Sequence, residues 1–551
     1  MTHSKNQIIW RFLLLLAVIV PPLFIALGDA DCEFHMEVRT LAASQETWLR
    51  QREDPKAWLV PSWNGSPRVN KPPLTVWINM LAWTGLDPET TPVDTLVHRA
   101  RLVSAGISLL ALLALCGAGT ILHSARLGLL ATAVTGTSLL FLRNARLASY
   151  DTYLLAFCTL AMAAGIAALQ PRSKKPKRLP TLFAWAVCAI ALAAAILTKG
   201  PIALIMTILP LSLIALTGPR KGASFAGLLG AALLSAAFVL PWYVYVLGRV
   251  VAADQIMSTE FHASRSEFQE PWYYLGLIPL VFPWLLWLPA FWVGAVRRQY
   301  ELRQPAIRIS IIWFLCIFIA MSIPAAKQQR YIIPILPAVG LLVAIAWLQI
   351  ATRDKLRWPL GLTRVHAGLL TIASLLIGLC GPAQSWLISL GVLDQPFLAR
   401  LPIWASSAIA IPLFILSRAI RRANLETAAW LTAIWMAMAA TPALYEYAWN
   451  ENSRNAHRTD IESVAMQIGS APLAYATTPE LPDSKEWPAP SMLLYSRRII
   501  PHWDGTTPPA HGSFIIAAQQ DRLDRDLREA GWILVRHFHD GNLPRTLYRA
   551  P

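Results

Sequence analysis

Apolar residues arrive along this chain in long, uninterrupted blocks rather than in short alternating runs. The first runs from Ile8 to Leu27, with only Lys5 and Arg11 near its start and Asp29, Asp31 and Glu33 directly after it. No small-residue cleavage site follows, so the pattern predicts a retained first span rather than a removed signal peptide. Later blocks have roughly 17–22 residues, the length that crosses a ~30 Å hydrocarbon layer. They predict spans near 100–122, 127–143, 152–169, 182–198, 201–217 and 225–247. Six more follow near 274–295, 308–325, 331–351, 363–381, 402–417 and 428–445, about thirteen in all.

Two regions break this rhythm. Between Gly28 and Val97 the apolar stretches, such as Pro73 to Trp83, are too short to cross and suit amphipathic helices at a membrane surface. From Tyr447 onward prolines and charges rise. A helix near 459–469, strands near 472–476 and 513–518, a helix near 521–530 capped by Asp521, and a strand near 533–538 predict a small soluble α/β domain. The expected fold class is thus an α-helical polytopic membrane protein with a small C-terminal α/β domain. Its transmembrane domain covers 1–446, with the external first loop 28–97 carrying surface helices, and 447–551 is expected to be a lid or stabilising module.

Composition agrees with this division. The 551 residues are 55% hydrophobic and only 15% charged, against about 25% charged in soluble domains, and mean hydropathy is +0.45. A net charge of +16 would suggest a nucleic-acid partner, but its distribution excludes one. Alternate loops, from Arg172–Arg178 to Arg418–Arg422, together with Lys5, Arg11 and Arg126, hold 21 basic and 3 acidic residues. Their net +18 exceeds the whole-chain +16, so the remainder sums to −2. The positive-inside rule places those loops in the cytoplasm, with the N-terminus inside and the C-terminal domain outside, as in a bacterial inner-membrane protein. Cysteines add little: Cys116, Cys158, Cys188 and Cys316 fall inside expected spans, Cys380 closes one, and Cys32 is external. With no CxxC pair or His/Cys cluster, neither a disulfide framework nor a structural zinc site is indicated.

Ionisable residues near a span are costly, ~2.5–3.5 kcal/mol each at the helix centre, and so point to function. Five mixed clusters fall on the external side under a topology drawn only from loop charge. They are Asp31-Cys-Glu33-Phe-His35-Met-Glu37; Asn70-Lys71-Pro72-Pro73 leading to Trp77; Arg146 to Asp151; Glu260-Phe-His262 ahead of Pro271-Trp272-Tyr273-Tyr274; and Lys327-Gln-Gln-Arg330-Tyr331. Each has a plain structural role open to it. Asp151 suits an N-cap, the prolines after Lys71 a first helical turn, and Lys327 and Arg330 interfacial anchors. Together they fit transfer from a lipid phosphate. Lys or Arg side chains would neutralise the phosphate, and Asp31 or Asp151 would take a proton from an acceptor hydroxyl.

In their order along the chain these motifs resemble the C-type glycosyltransferase superfamily, in the branch of aminoarabinose transferases and protein O-mannosyltransferases. The resemblance implies thirteen spans, an external C-terminal domain, and inverting sugar transfer from a polyprenyl-phosphate donor to an extracytoplasmic acceptor such as lipid A. Carried over by position, Asp31 corresponds to the essential first-loop aspartate, Glu37 to the glutamate after it and Asp151 to the second aspartate. Lys71 corresponds to the phosphate-contacting lysine and Tyr331 to the tyrosine of the late motif. The charged clusters add His35, Lys327 and Arg330 as expected substrate contacts, and the resemblance implies a divalent metal at His262, with Glu260 expected beside it. The chain departs from the pattern at Asn70, where a glutamate is common, and at Phe34-His35, where an arginine-tyrosine pair is usual. Reaction type is therefore implied more firmly than the headgroup. A lipid-linked glycan flippase would show repeats and polar groups at mid-span, and neither is seen, whereas a glycan ligase or polymerase stays open. The topology is testable: a phosphatase fused after Pro551 should be active and a cytoplasmic reporter there silent, and the reverse pattern would reject the odd span count.

Overall fold

The computed structural model describes residues 5–32, 35–87, 89–169, 178–218, 221–257, 269–270, 272–296, 304–351, 358–392, 400–454, 457–476, 489–503, 511–518, 521–540 and 543–551. Among these, ten helices are long and apolar enough to cross a membrane. The other three expected spans are present as shorter or interrupted helices, and each interruption has a local cause. Near 127–143 the chain forms α5 (Ala125–Gly136) and α6 (Leu139–Asn144). At the break, the Thr137 and Ser138 hydroxyls donate to the carbonyls of Ala133 and Thr135 at 2.6 and 2.9 Å, competing with the helical ladder. Near 201–217, α9 (Ile202–Leu216) is cut short behind Gly200 and Pro201. Near 274–295, Pro279 and Pro283 leave a 3₁₀ segment (Tyr273–Val281) and then α11 (Trp287–Val296).

The long helices are α1 (Lys5–Phe24), α4 (Val93–Leu122), α7 (Tyr150–Leu169), α8 (Arg178–Lys199) and α10 (Lys221–Arg249), then α12 (Pro305–Ser322), α13 (Leu336–Ala351), α14 (Trp358–Ser389), α15 (Ile403–Arg422) and α16 (Leu425–Arg454). Small residues let them touch, as lipid-immersed helices require. A Cβ on Gly340 of α13 would lie 2.1 Å from Thr135 Oγ1 and 2.7 Å from the Ala131 carbonyl of α5. The first loop folds as α2 (His35–Arg50), a 3₁₀ turn (Ala57–Leu59), a short hairpin of β1 (Ser62–Trp63) and β2 (Ser66–Pro67), and α3 (Leu74–Ala82). Asn64 and Gly65 turn the hairpin at φ 48° and 79°, the Asn-Gly pairing that a two-residue turn with positive φ favours.

The C-terminal domain has α17 (His457–Ile468), β3 (Leu473–Ala476), α18 (Pro490–Ser496), β4 (Phe514–Ala518), α19 (Asp521–Glu529), β5 (Ile533–Asp540) and β6 (Leu543–Arg549). Its sheet runs β3-β4-β6-β5, with β3 parallel to β4 and the other pairs antiparallel. One face packs Leu527 of α19 and Trp532 against Ile515 and Tyr548. The other face continues into the membrane domain: Ile461, Val464, Leu473, Ile516 and Leu547 share one buried cluster with Cys32, Val38, Leu41, Leu96 and Ala148. Helix α2 is therefore enclosed along most of its length rather than laid on a surface.

At the centre of this junction Glu37 of α2 meets Arg101 of α4. The two side chains are 0% and 6% exposed. Arg101 donates to both Glu37 oxygens at 2.9 and 2.8 Å, and the Ala148 amide donates to Glu37 Oε1 at 2.9 Å. Arg101 also donates to the carbonyls of Leu27, Ala30 and Asp31. Glu37, expected at the substrate, is sealed inside the protein with both oxygens occupied, a setting that suits a structural anchor. Removing one member of a buried pair typically costs about 3–5 kcal/mol. Glu37→Gln should lower the thermal unfolding midpoint of the detergent-purified protein accordingly, while Glu37→Leu with Arg101→Met recovers part of the loss. An unchanged midpoint in Glu37→Gln would refute the assignment.

Candidate active site

The segment between α1 and α2 carries Asp31. Its main chain is held from inside by Arg101 and from outside by the C-terminal domain, where Tyr495 Oη accepts from the Cys32 amide at 2.9 Å. The Asp31 carboxylate is only 6% exposed and pairs with Arg458 of α17, whose Nη1 lies 2.8 Å from Oδ1. Arg458 is itself fixed by a bidentate bond to Asp94 at 2.6 and 2.8 Å, by Glu462 at 2.8 Å, and by the Tyr495 ring beneath it at 5.4 Å. Burial holds the Asp31 carboxyl above the ordinary carboxylate range, and the hydrogen bond from Arg458 pulls it back down. Asp31 is thus a buried carboxylate of raised basicity, oriented by a guanidinium that three other groups immobilise.

The second aspartate opens α7 at the same end of the bundle. The Ala145–Ser149 turn before α7 bonds back to the chain after α1 through Arg146 to the Ile25 carbonyl, and to α2 through the Ala148 amide to Glu37. Asp151 is 2% exposed. One of its oxygens pairs with Lys199 Nζ, and the other lies 3.4 Å from Arg330 Nε. Lys199 is the last residue of α8; Gly200 follows at φ 77°, a left-handed conformation that ends the helix and leaves the lysine at its C-terminus. Both cations lie against the Tyr331 ring, at 4.4 Å for Lys199 and 5.4 Å for Arg330. The group holds two positive charges and one negative, a surplus cation beside an aromatic wall. It can receive an anion.

The remaining expected residues divide clearly. Lys71 is half-buried in the bend just before α3. The segment before it is drawn to α7 by Arg68, whose guanidinium lies 5.3 Å from the Trp63 ring and 5.7 Å from the Tyr150 ring. Lys327, expected at the substrate, is 4% exposed and donates to the main-chain carbonyls of Gln269 and Pro324 at 2.9 and 2.7 Å. It holds two loops together, so Arg330 alone of that pair joins the cation cluster. His35 begins α2, with its side chain outside the described residues, and Glu260 and His262 also lie outside them. Among the described residues no group of three or more His, Cys, Asp or Glu side chains converges on one point, and no step is assigned to a metal. Lys199, Arg101 and Arg458 were not singled out in the sequence. Lys199 and Arg101 carried a signal, being cations at span ends that loop charge places outside, against the positive-inside trend.

Residues 86–257 match the family described as dolichyl-phosphate-mannose-protein mannosyltransferase, a segment that includes Arg101, Asp151 and Lys199. Undecaprenyl phosphate-alpha-4-amino-4-deoxy-L-arabinose arabinosyl transferase 1 of Sodalis glossinidius is 27% identical over 313 residues, 54% of this chain and 52% of that protein. The corresponding transferase of Pectobacterium atrosepticum is 28% identical over 360 residues, 62% of this chain and 60% of that protein. The chain thus spans little more than half the length of these curated relatives. Likeness of fold extends further: the crystal structure of ArnT from Cupriavidus metallidurans bound to undecaprenyl phosphate covers 99% of this chain and 98% of its own, with TM-score 0.71 and 18% identity. Along nearly its whole length the chain therefore has the fold of that crystal structure, and the match to the mannosyltransferase family lies within it, over residues 86–257.

Proposed function

We propose that this protein is a glycosyltransferase of the bacterial inner membrane. It transfers a sugar from a polyprenyl-phosphate donor to an extracytoplasmic lipid of the lipid A class. The observation that carries the reading is the cation cluster: Lys199 and Arg330 flank buried Asp151 against Tyr331, at the membrane-domain end that also bears Asp31. An anionic lipid headgroup arriving at that end meets a surplus positive charge without any nucleotide-binding element. The likeness to a structure crystallised with undecaprenyl phosphate, and to relatives named for an undecaprenyl phosphate-linked aminosugar, supports the same donor class.

In this mechanism Lys71, Lys199 and Arg330 neutralise the donor phosphate, and Asp151 spaces the last two cations. The Asp31 carboxylate accepts the proton of the acceptor hydroxyl as that oxygen bonds to the anomeric carbon. The bond from that carbon to the phosphate oxygen breaks on the opposite face, and polyprenyl phosphate leaves with the electron pair. Configuration inverts. Asp151 is left out of the base role because its two oxygens face Lys199 and Arg330, which commits it to spacing the cations.

With purified protein and a labelled polyprenyl-phosphate sugar, Asp31→Asn should lower turnover by about 10²–10⁴-fold while still binding donor. Lys71→Ala should weaken donor binding by roughly 10- to 150-fold, the loss of a charge-assisted contact. Near-normal turnover in Asp31→Asn at saturating acceptor would overturn the base assignment, and donor left intact by the wild type would overturn the reaction. The pairing with Arg458 adds a pH test. The base must be ionised, so activity falls as pH drops through its raised pKa. Arg458 favours the ionised form, and Arg458→Gln should therefore move the acid limb of kcat/KM to higher pH. A limb that stays in place would remove Arg458 from the site's electrostatics.

A further inference from the structure

At the opposite end of the bundle, four arginines surround a cavity of about 580 Å³ between α14 and α15. We propose that this cavity is a binding site for the phosphate headgroup of an anionic phospholipid, on the cytoplasmic side and separate from the transfer site. The helix pair is shaped for it. Near their Gly381 end the two helices touch: a Cβ on Gly381 would lie 2.0 Å from the Ile403 carbonyl, and one on Gly378 2.9 Å from Ala410 Cβ. At the other end the facing residues are long and basic, and the groove opens between Leu360, Thr363 and Arg364 of α14 and Arg418, Arg421 and Arg422 of α15.

Three features point to an anion. Arg418, Arg421 and Arg422 stand at i, i+3 and i+4, so one helix face gathers like charges whose repulsion opposes the helix unless an anion screens it. Arg364 adds a fourth from across the groove. None of the four makes a salt bridge among the described residues, whereas basic residues nearby do: Arg11 and Arg126 share Glu426 at 2.7 and 3.8 Å. Guanidinium is also the group that grips phosphate with two parallel bonds.

Two features point to a lipid as the source of that phosphate. The arginines sit at a helix end, at the depth of a headgroup, and basic pockets between transmembrane helices on the cytoplasmic side recognise anionic headgroups. Beyond the cavity the same helices expose Leu369 and Ile372 on α14 and Ile411 and Ile415 on α15, an apolar surface along which acyl chains can lie. The volume falls within the roughly 300–1,000 Å³ of small-molecule sites.

Native mass spectrometry of the full chain in detergent, titrated with phosphatidylglycerol, phosphatidylcholine or inorganic phosphate, tests the site. Phosphatidylglycerol should bind in preference to phosphatidylcholine. Arg418→Gln/Arg421→Gln/Arg422→Gln should weaken that binding by roughly tenfold or more, and Lys174→Gln/Lys175→Gln/Lys221→Gln, which removes equal charge from other loops expected on that face, should change it little. Equal loss in the two triple variants would reduce the cluster to diffuse surface charge and overturn the proposal. So would equal binding of the two lipids, or inorganic phosphate bound as tightly as phosphatidylglycerol. If the arginine triple variant does not fold, Arg364→Gln on the other helix decides in its place: weakened binding supports the site, and unchanged binding overturns it.

Discussion

One ion pair sets the geometry of the candidate active site. Glu37 and Arg101 meet in the interior where first loop, membrane domain and C-terminal domain converge, and their hydrogen bonds reach three carbonyls after α1 and the amide of Ala148 before α7. The two aspartates of the proposed mechanism, the base and the one that spaces the cations, sit on the two segments so tied. A charge pair in such a place is a weak source of stability, because desolvation offsets much of the attraction. Its directionality is what matters. Arg101 has five donors in a fixed fork, and five bonds from it to Glu37, Leu27, Ala30 and Asp31 define where the Asp31 main chain can lie.

Around this anchor the two aspartates acquire opposite characters from their surroundings. Asp151 lies between two cations that outnumber it, whereas Asp31 has burial working against its ionised form and one guanidinium working for it. In the proposed mechanism one site thus holds both a carboxylate that spaces cations and a carboxylate that accepts a proton.

The helical architecture was legible because a bilayer accepts only segments that satisfy their backbone internally over ~30 Å, and that demand writes long apolar blocks into any sequence. The interruptions were less legible. Thr137 and Ser138 look neutral within an apolar run, and their effect appears only when the hydroxyls turn back on the helix. In the C-terminal domain, β3, β4 and β5 followed from short apolar runs, but β6 did not. It carries Pro544, Arg545 and Arg549, and it lies mid-sheet with Arg545, Thr546, Leu547 and Tyr548 all buried, so no alternation marks it. In the site, Asp31, Lys71, Asp151, Arg330 and Tyr331 were readable as charges or rings at span ends. Arg458 was not: its partner Asp31 is 427 positions away, and nothing local distinguishes it from other surface arginines.

That distance has a consequence for how the protein is made. The apolar face of α2 and the chain around Cys32 are completed by Ile461, Val464, Leu473 and Leu547, which leave the ribosome last. Through the insertion of every intervening helix, the first loop waits with an unfinished core. Only the final hundred or so residues cover it and bring Arg458 to Asp31. The first charged loop to emerge is thus among the last to mature, and a chain that stops early, even with all its membrane helices in place, carries an exposed apolar surface beside the candidate active site. Quality control that recognises such surfaces would read the completeness of the C-terminus at the opposite end of the sequence.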